Sequence, residues 1–525
     1  MAELKHETSR EQTRSKKVSK PHFERELFVV ALLVLGSSFS NIISQQDAVH
    51  FALTWSLVNT HAPWLNGTMY AGQPYVIESG GHLVSSLPPG LAFFGFAFVA
   101  PAQVILPMEP SVAAAYLATY FACVVGALAC VVFFRLAKMF GSVRSSLLLT
   151  LVFTFGTSMW LYSRIYLPEG LATLLGISSV YFAMRSSRSS EEDNTPPKRT
   201  VYLSFYLSGI LLGLAVFVDN MAAFLVVPIA IYITLHRESI IDGIKSRAAR
   251  LPVFIAGLMV GSIPIWYYDA ITTGNIFSAP YGLPIIGGVP PSAYENGGLI
   301  QGLYQLILSP QSGLLLFTPF VIFSVVGTLT VILAKKDEKL RGPTFLFAGL
   351  FLSILLPFSL QSQSTYLHNT IGPAELVLAM PFALLPSLYV LDRFGETNRG
   401  KIAIYSLAAV SILINGIIAL TDPVSLGYLI SGGSGSSASP FLTTNLPLFL
   451  GQSYLTWWSF FAQPVLYACA ILLFPLVVLL IYAVSAPQTN LGKALNLKEM
   501  AIEPIVTRQR TQEPRQQQQE KQVKA

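Results

Sequence analysis

Charge is what this chain has little of. Only 11% of its 525 residues are Asp, Glu, Lys or Arg, against about 25% in an ordinary soluble domain. So sparse a charged surface excludes a soluble globular protein. Apolar residues make up 53% of the chain, apolar runs recur along its length, and no soluble domain of ordinary size fits between them. Cysteine is scarce as well. Cys123, Cys130 and Cys469 all lie in apolar runs without zinc-ligand spacing or a disulfide framework, and they read as small core residues. No P-loop, GxGxxG, HExxH or GxSxG motif occurs in a fitting context, so ATP hydrolysis, dinucleotide binding and zinc or serine hydrolysis have no support.

The charge that is there is sorted by side. Residues 1–26 carry seven Lys and Arg, which places the N-terminus in the cytoplasm. The first apolar run, Leu27–Ser44, lacks a small-residue cleavage pattern after it and reads as a retained span. The next run, Leu91–Leu106, is bracketed by Pro88, Pro89 and Pro107 and interrupted by Pro101, so it reads as an interfacial or re-entrant helix within one long outer loop, 45–111. Twelve spans then alternate: 27–44, 112–134, 145–163, 169–184, 203–218, 221–235, 252–268, 313–334, 344–360, 376–391, 402–420 and 465–484. The expected fold is an all-α polytopic membrane protein, with a basic cytoplasmic leader 1–26, a membrane domain 27–485 and a basic, Gln-rich cytoplasmic tail 486–525 that reads as disordered. On this topology 32 of the 33 Lys and Arg face the cytoplasm. The excess positive charge therefore faces anionic lipid, which removes the case for nucleic acid. The exception is Arg164.

The outer face collects acids instead: Asp47, Glu78, Glu169, Asp219, Asp269, Glu295 and Glu375, with His50, His61, His82 and His368. Asp47 stands where the first span gives out. A carboxylate there is costly and raises a functional question, although it also suits an N-cap for the run Ala48–Val58. Tyr162-Ser-Arg-Ile-Tyr-Leu-Pro-Glu169 turns between two spans. Arg164 offers it a planar fork for a phosphate or a salt bridge to Glu169, while Pro168 and Glu169 fit the first turn of the next helix. The polar stretch 361–375 holds His368, either a phosphate or proton group or a solvated loop residue. Asn66-Gly-Thr68 is a glycosylation sequon on the outer side.

These segments, in this order, resemble one family. Asp47 followed by a loop that closes in Ser86-Leu-Pro-Pro-Gly90 is similar to the first outer loop of GT-C glycosyltransferases, the multi-span enzymes that use polyprenyl-phosphate sugars, among them protein mannosyltransferases and aminoarabinose transferases. Gly156–Glu169 resembles their second outer turn, and Gly209-Ile-Leu-Leu-Gly-Leu-Ala-Val216 the glycine-rich span that follows. Ser309–Leu314 and Gly372–Phe382 are similar to late segments of the family. The resemblance covers roughly residues 27–392.

It implies an inverting transfer of a hexosyl or pentosyl group from a polyprenyl-phosphate donor to a lipid, glycan or protein acceptor on the extracytoplasmic side of the cell membrane. Asp47 is then the general base, and Arg164 and Glu169 lie at the donor-phosphate side with His82 or His368 to help. So acidic a face would suit Mg²⁺ or Mn²⁺, with Asp47 and Glu169 as the ligand candidates, though no spacing establishes a metal. A transporter or flippase of lipid-linked sugars is the competing expectation; it calls for ionisable groups near the bilayer midplane and for broken spans.

Overall fold

The computed structural model describes residues 23–40, 42, 44–65, 72, 75–101, 110–188, 198–235, 244–276, 298–310, 312–333, 338–361, 376–395, 397–421, 441–454, 456 and 464–484. Apolar runs of this length, with every backbone group satisfied along the segment, fold as helices, and helices dominate throughout. In chain order they are α1 (Phe23–Ser38), α2 (Gln45–Thr60), α3 (Gly90–Val99), α4 (Pro110–Ala137), α5 (Val143–Phe155), α6 (Met159–Tyr162), α7 (Pro168–Arg188), α8 (Lys198–Val218), α9 (Val226–Leu235) and α10 (Ile244–Thr273). The second half continues with α11 (Gly298–Ile307), α12 (Leu314–Phe317), α13 (Val321–Leu333), α14 (Glu338–Gln361), α15 (Met380–Leu384), α16 (Ser387–Phe394), α17 (Asn398–Leu420), α18 (Leu446–Leu450) and α19 (Pro464–Val484). Composition alone did not announce a hairpin, β1 (Val76–Ser79) and β2 (His82–Ser85), paired antiparallel between α2 and α3.

Among the described residues six helices are long and apolar enough to cross a membrane: Val112–Ala137, Arg199–Val218, Ala249–Thr273, Leu340–Leu360, Asn398–Leu420 and Pro464–Ile481. Each matches one of the twelve expected spans. The other six expected spans are shorter, less apolar or interrupted. Expected span 145–163 stops at Gly156 and resumes as the single turn α6; 313–334 breaks between α12 and α13 at Thr318–Phe320; and 376–391 divides at Pro386. Residues of α17 answer two of these breaks. Asn415 Nδ2 lies 3.0 Å from the Gly156 carbonyl and 2.6 Å from that of Phe317, and the Phe320 amide donates to Ser411 Oγ at 3.2 Å. Non-helical backbone at membrane depth is tolerated where buried protein supplies such partners.

The short run after the double proline does what its prolines imply. Helix α3 has 10 residues, about 15 Å of rise, half of a hydrocarbon core about 30 Å thick. An ion pair joins α4 to α1: Arg135 Nε, near the end of α4, donates to Glu24 Oε2 at 2.8 Å. The start of α1 and the end of α4 therefore lie together. At the other end, Ser38 Oγ accepts from Trp160 Nε1 at 3.2 Å, joining the end of α1 to α6.

Candidate functional site

The helix that carries Asp47 starts at Ser44. Ser44 Oγ accepts from the Asp47 amide at 3.1 Å, while Asp47 Oδ1 accepts from the Ser44 amide at 2.7 Å and from Ser44 Oγ at 2.9 Å. This is a reciprocal capping box. The expectation that Asp47 itself caps the helix is thus corrected: Ser44 is the cap, and Asp47 stands three residues inside it. The carboxylate is completely buried, at 0% exposure. The box both starts α2 and fixes the orientation of the acid.

The second turn differs more from expectation. Residues 156–168 are buried throughout, and Arg164 is at 0% exposure. The one cation expected on the outer face is therefore enclosed by protein. Its backbone is held from the end of the first helix, where the Ser40 amide and hydroxyl both donate to the Arg164 carbonyl oxygen at 3.4 Å. Two residues on, Tyr166 ties the turn to the first loop: its hydroxyl lies 2.8 Å from Thr54 Oγ1 of α2 and donates to the Leu91 carbonyl of α3 at 3.2 Å. Burial pushes the Tyr166 phenol above its usual range, with the Thr54 bond opposing it. Glu169 stands in the first turn of α7 behind Pro168, half-buried, as the local sequence implies.

Three more polar groups border this layer. Asp219 caps the 3₁₀ segment Asn220–Leu225 by accepting from the Met221 amide at 2.9 Å, and burial raises its carboxyl pKa against that bond. Gly90 abuts the same corner. A Cβ there would lie 2.5 Å from the Phe217 carbonyl oxygen, so the glycine closing the Ser86–Gly90 motif lets α3 dock on the end of α8. Asp269, near the end of α10, is 4% exposed, and Ser79 of the hairpin donates to the Thr272 carbonyl at 2.8 Å.

The structure thus joins the elements bearing Asp47, Arg164 and Glu169. His82 is exposed on the hairpin and stacked on Trp64 with ring centroids 4.1 Å apart. His368, Asn66, Glu295 and Glu375 lie outside the described residues, as do positions 1–22 of the leader and the tail 486–525. Among the described residues no three His, Cys, Asp or Glu side chains come together as a metal site. Sequence reasoning passed over Ser40, Ser44, Thr54 and Tyr166. Only Ser44 had a readable signal, the Ser-x-x-Asp spacing of a capping box.

Residues 63–273 match the family model for dolichyl-phosphate-mannose-protein mannosyltransferase. The matched stretch, about two-fifths of the chain, contains Arg164, Glu169, Asp219 and the hairpin, and begins after Asp47. No curated protein sequence matches the chain. Among solved structures it is similar to ArnT from Cupriavidus metallidurans bound to undecaprenyl phosphate, with 14% identity, a TM-score of 0.48, and coverage of 89% of this chain and 79% of that one. It is also similar to the apo oligosaccharyltransferase of Archaeoglobus fulgidus, with 11% identity, a TM-score of 0.44, and coverage of 78% of this chain and 56% of that one. The family match covers the stretch that holds the buried arginine turn.

Proposed function

We propose that this protein moves a sugar from a polyprenyl-phosphate donor to an acceptor on the extracytoplasmic side of the cell membrane, with both termini in the cytoplasm. One observation carries the reading. A fully buried carboxylate, Asp47, and a fully buried guanidinium, Arg164, stand on adjoining elements tied through the Thr54–Tyr166 contact. Buried charges are expensive and are kept where they act or are matched.

The chemistry follows from what each group offers. The Asp47 carboxylate takes the proton of the acceptor nucleophile as that atom bonds to the anomeric carbon. The bond from the anomeric carbon to the phosphate oxygen breaks, and the polyprenyl phosphate departs with the electron pair. The donor is a phosphodiester with one negative charge; the product monoester carries a second. A fixed cation therefore binds the departing phosphate more strongly than the ground state, which is the difference that lowers a barrier. Arg164 is that cation, and the half-buried Glu169 orients the turn beside it. Direct displacement inverts the anomeric centre. The transferred group is a hexose or pentose, and the acceptor a lipid, glycan or protein. The transporter reading gains nothing from a match to a transferase family.

The test is to incubate the purified protein in nanodiscs with a panel of polyprenyl-phosphate sugars, with and without EDTA, and to assay released polyprenyl phosphate. Release from at least one donor, with a glycosylated product of inverted configuration, is the expected result. Sugar movement across the bilayer without cleavage would replace the proposal by transport, and loss of release in EDTA would add a divalent ion to the site.

A further inference from the structure

One turn beyond Asp47 on α2 lies His50, a residue the mechanism above does not use. At 3.6 residues per turn, Asp47, His50 and Thr54 fall on one narrow face of the helix, and all three are buried, His50 at 1% exposure. This face meets the second turn, because Thr54 touches Tyr166 there. Asp47 and Thr54 both have polar partners. His50 does not: neither Nδ1 nor Nε2 has a hydrogen-bond partner among the described residues. A buried polar group left unpaired costs free energy, and in native proteins such groups call for an explanation. A core histidine kept for packing alone would be better replaced by an apolar ring.

What would satisfy it can be read from its protonation. Burial without a charged or polar partner pushes the imidazolium pKa down to about 3, so near neutrality the ring is uncharged. It then presents one N–H donor and one bare acceptor nitrogen, aimed in different directions. A phosphate ester oxygen accepts only and would answer the donor alone. A hydroxyl both gives and takes a hydrogen, so hydroxyls answer both nitrogens.

We propose that His50 is a substrate-binding residue of the Asp47 site, whose ring gives one hydrogen bond to, and takes one from, sugar or acceptor hydroxyls held against the buried face of α2. The inference rests on the transferase reading and adds to it the group that recognises hydroxyls beside the base. His50 also lies outside the region matched by the mannosyltransferase family model, so its assignment stands on geometry.

The experiment compares full-length wild type, His50→Phe and His50→Gln in nanodiscs. Phenylalanine keeps a ring without unpaired nitrogens, and glutamine restores a donor and an acceptor. Without substrate, His50→Phe should melt no lower than wild type. With dolichyl-phosphate mannose, or the polyprenyl-phosphate sugar of the panel that wild type uses, release of polyprenyl phosphate should fall at least tenfold in His50→Phe and recover in part in His50→Gln. Thermal-shift titrations with the sugar-bearing donor and with bare dolichyl phosphate separate the sources of the hydroxyl. Lost affinity for the sugar-bearing lipid alone assigns the contact to the donor sugar; unchanged affinity for both, with the loss confined to turnover, assigns it to the acceptor. Equal loss of affinity for both lipids, a clear fall in melting temperature, or release within twofold of wild type in His50→Phe would each overturn the role of His50 while leaving the transferase reading intact. A wild type that cleaves no donor overturns that reading, and this inference with it.

Discussion

Ser40 holds Arg164 by its carbonyl: the amide and the hydroxyl of Ser40 converge on that one oxygen at 3.4 Å. Both bonds are long, so they set position more than they add stability. They fix the arginine turn relative to the end of α1, and four residues after Ser40 the capping box begins that orients Asp47. The Thr54–Tyr166 contact ties the same turn to α2, the helix that carries Asp47. Arg164→Ala should weaken use of the donor by about 2 kcal/mol, the scale of a lost charge-assisted hydrogen bond, or roughly a thirtyfold fall in kcat/KM for the lipid-phosphate sugar. Unchanged donor kinetics would assign the guanidinium to structure alone.

Capping and the proposed catalysis at Asp47 can be separated because the box has two members. Asp47→Asn keeps a side-chain oxygen that accepts from the Ser44 amide, so α2 should form and membrane abundance should hold while sugar transfer is abolished. Ser44→Ala removes the cap and costs about 1 kcal/mol of stability, yet leaves the carboxylate in place, so reduced transfer should persist. Near-normal transfer by Asp47→Asn would exclude it as the base.

How much of this was legible in the sequence depended on range. The apolar runs, the short α3 behind its double proline and the helix start at Pro168-Glu169 follow from local composition, and the structure shows them. The burial of Arg164 was not legible. A positive-inside count assigns a side to a residue but says nothing of the neighbours that enclose it. The broken spans have the same origin: the carbonyls freed at Gly156 and Phe317 are answered by Asn415, more than 250 residues from the first of them. A lone asparagine in an apolar run does not reveal its partners. The hairpin escaped because its two strands have only four residues each, too few for alternation to register.

The glycine-rich span is a packing device. Gly209 and Gly213 of α8 face Gly257 and Gly261 of α10, and a Cβ at Gly257 would lie 2.1 Å from the Tyr206 carbonyl oxygen. Small residues four apart allow such close approach between membrane helices. Gly257→Val should therefore force the two helices apart and cost about 1–3 kcal/mol, read as a lower melting temperature in detergent. An unchanged melting temperature would mean that α8 and α10 do not meet at this distance.

Asp219 gives the protein a pH dependence whose sign runs opposite to that of a salt-bridged acid. Burial raises its folded-state pKa above the ordinary 3.8, so around that range the folded chain binds more protons than the unfolded one. Its contribution to stability is therefore most favourable at low pH and declines as pH rises from the unfolded pKa through the raised folded value. At neutral pH the buried charge is a cost, offset only in part by the Met221 amide. Asp219→Asn keeps an acceptor for that amide and removes the charge, so at pH 7 it should melt no lower than wild type, and above it if the desolvation cost dominates. The difference between the two proteins should narrow as the pH is lowered toward 4. A variant that melts below wild type at pH 7, with the gap closing on acidification, would show instead that the ionised carboxylate is held by favourable charge at this corner.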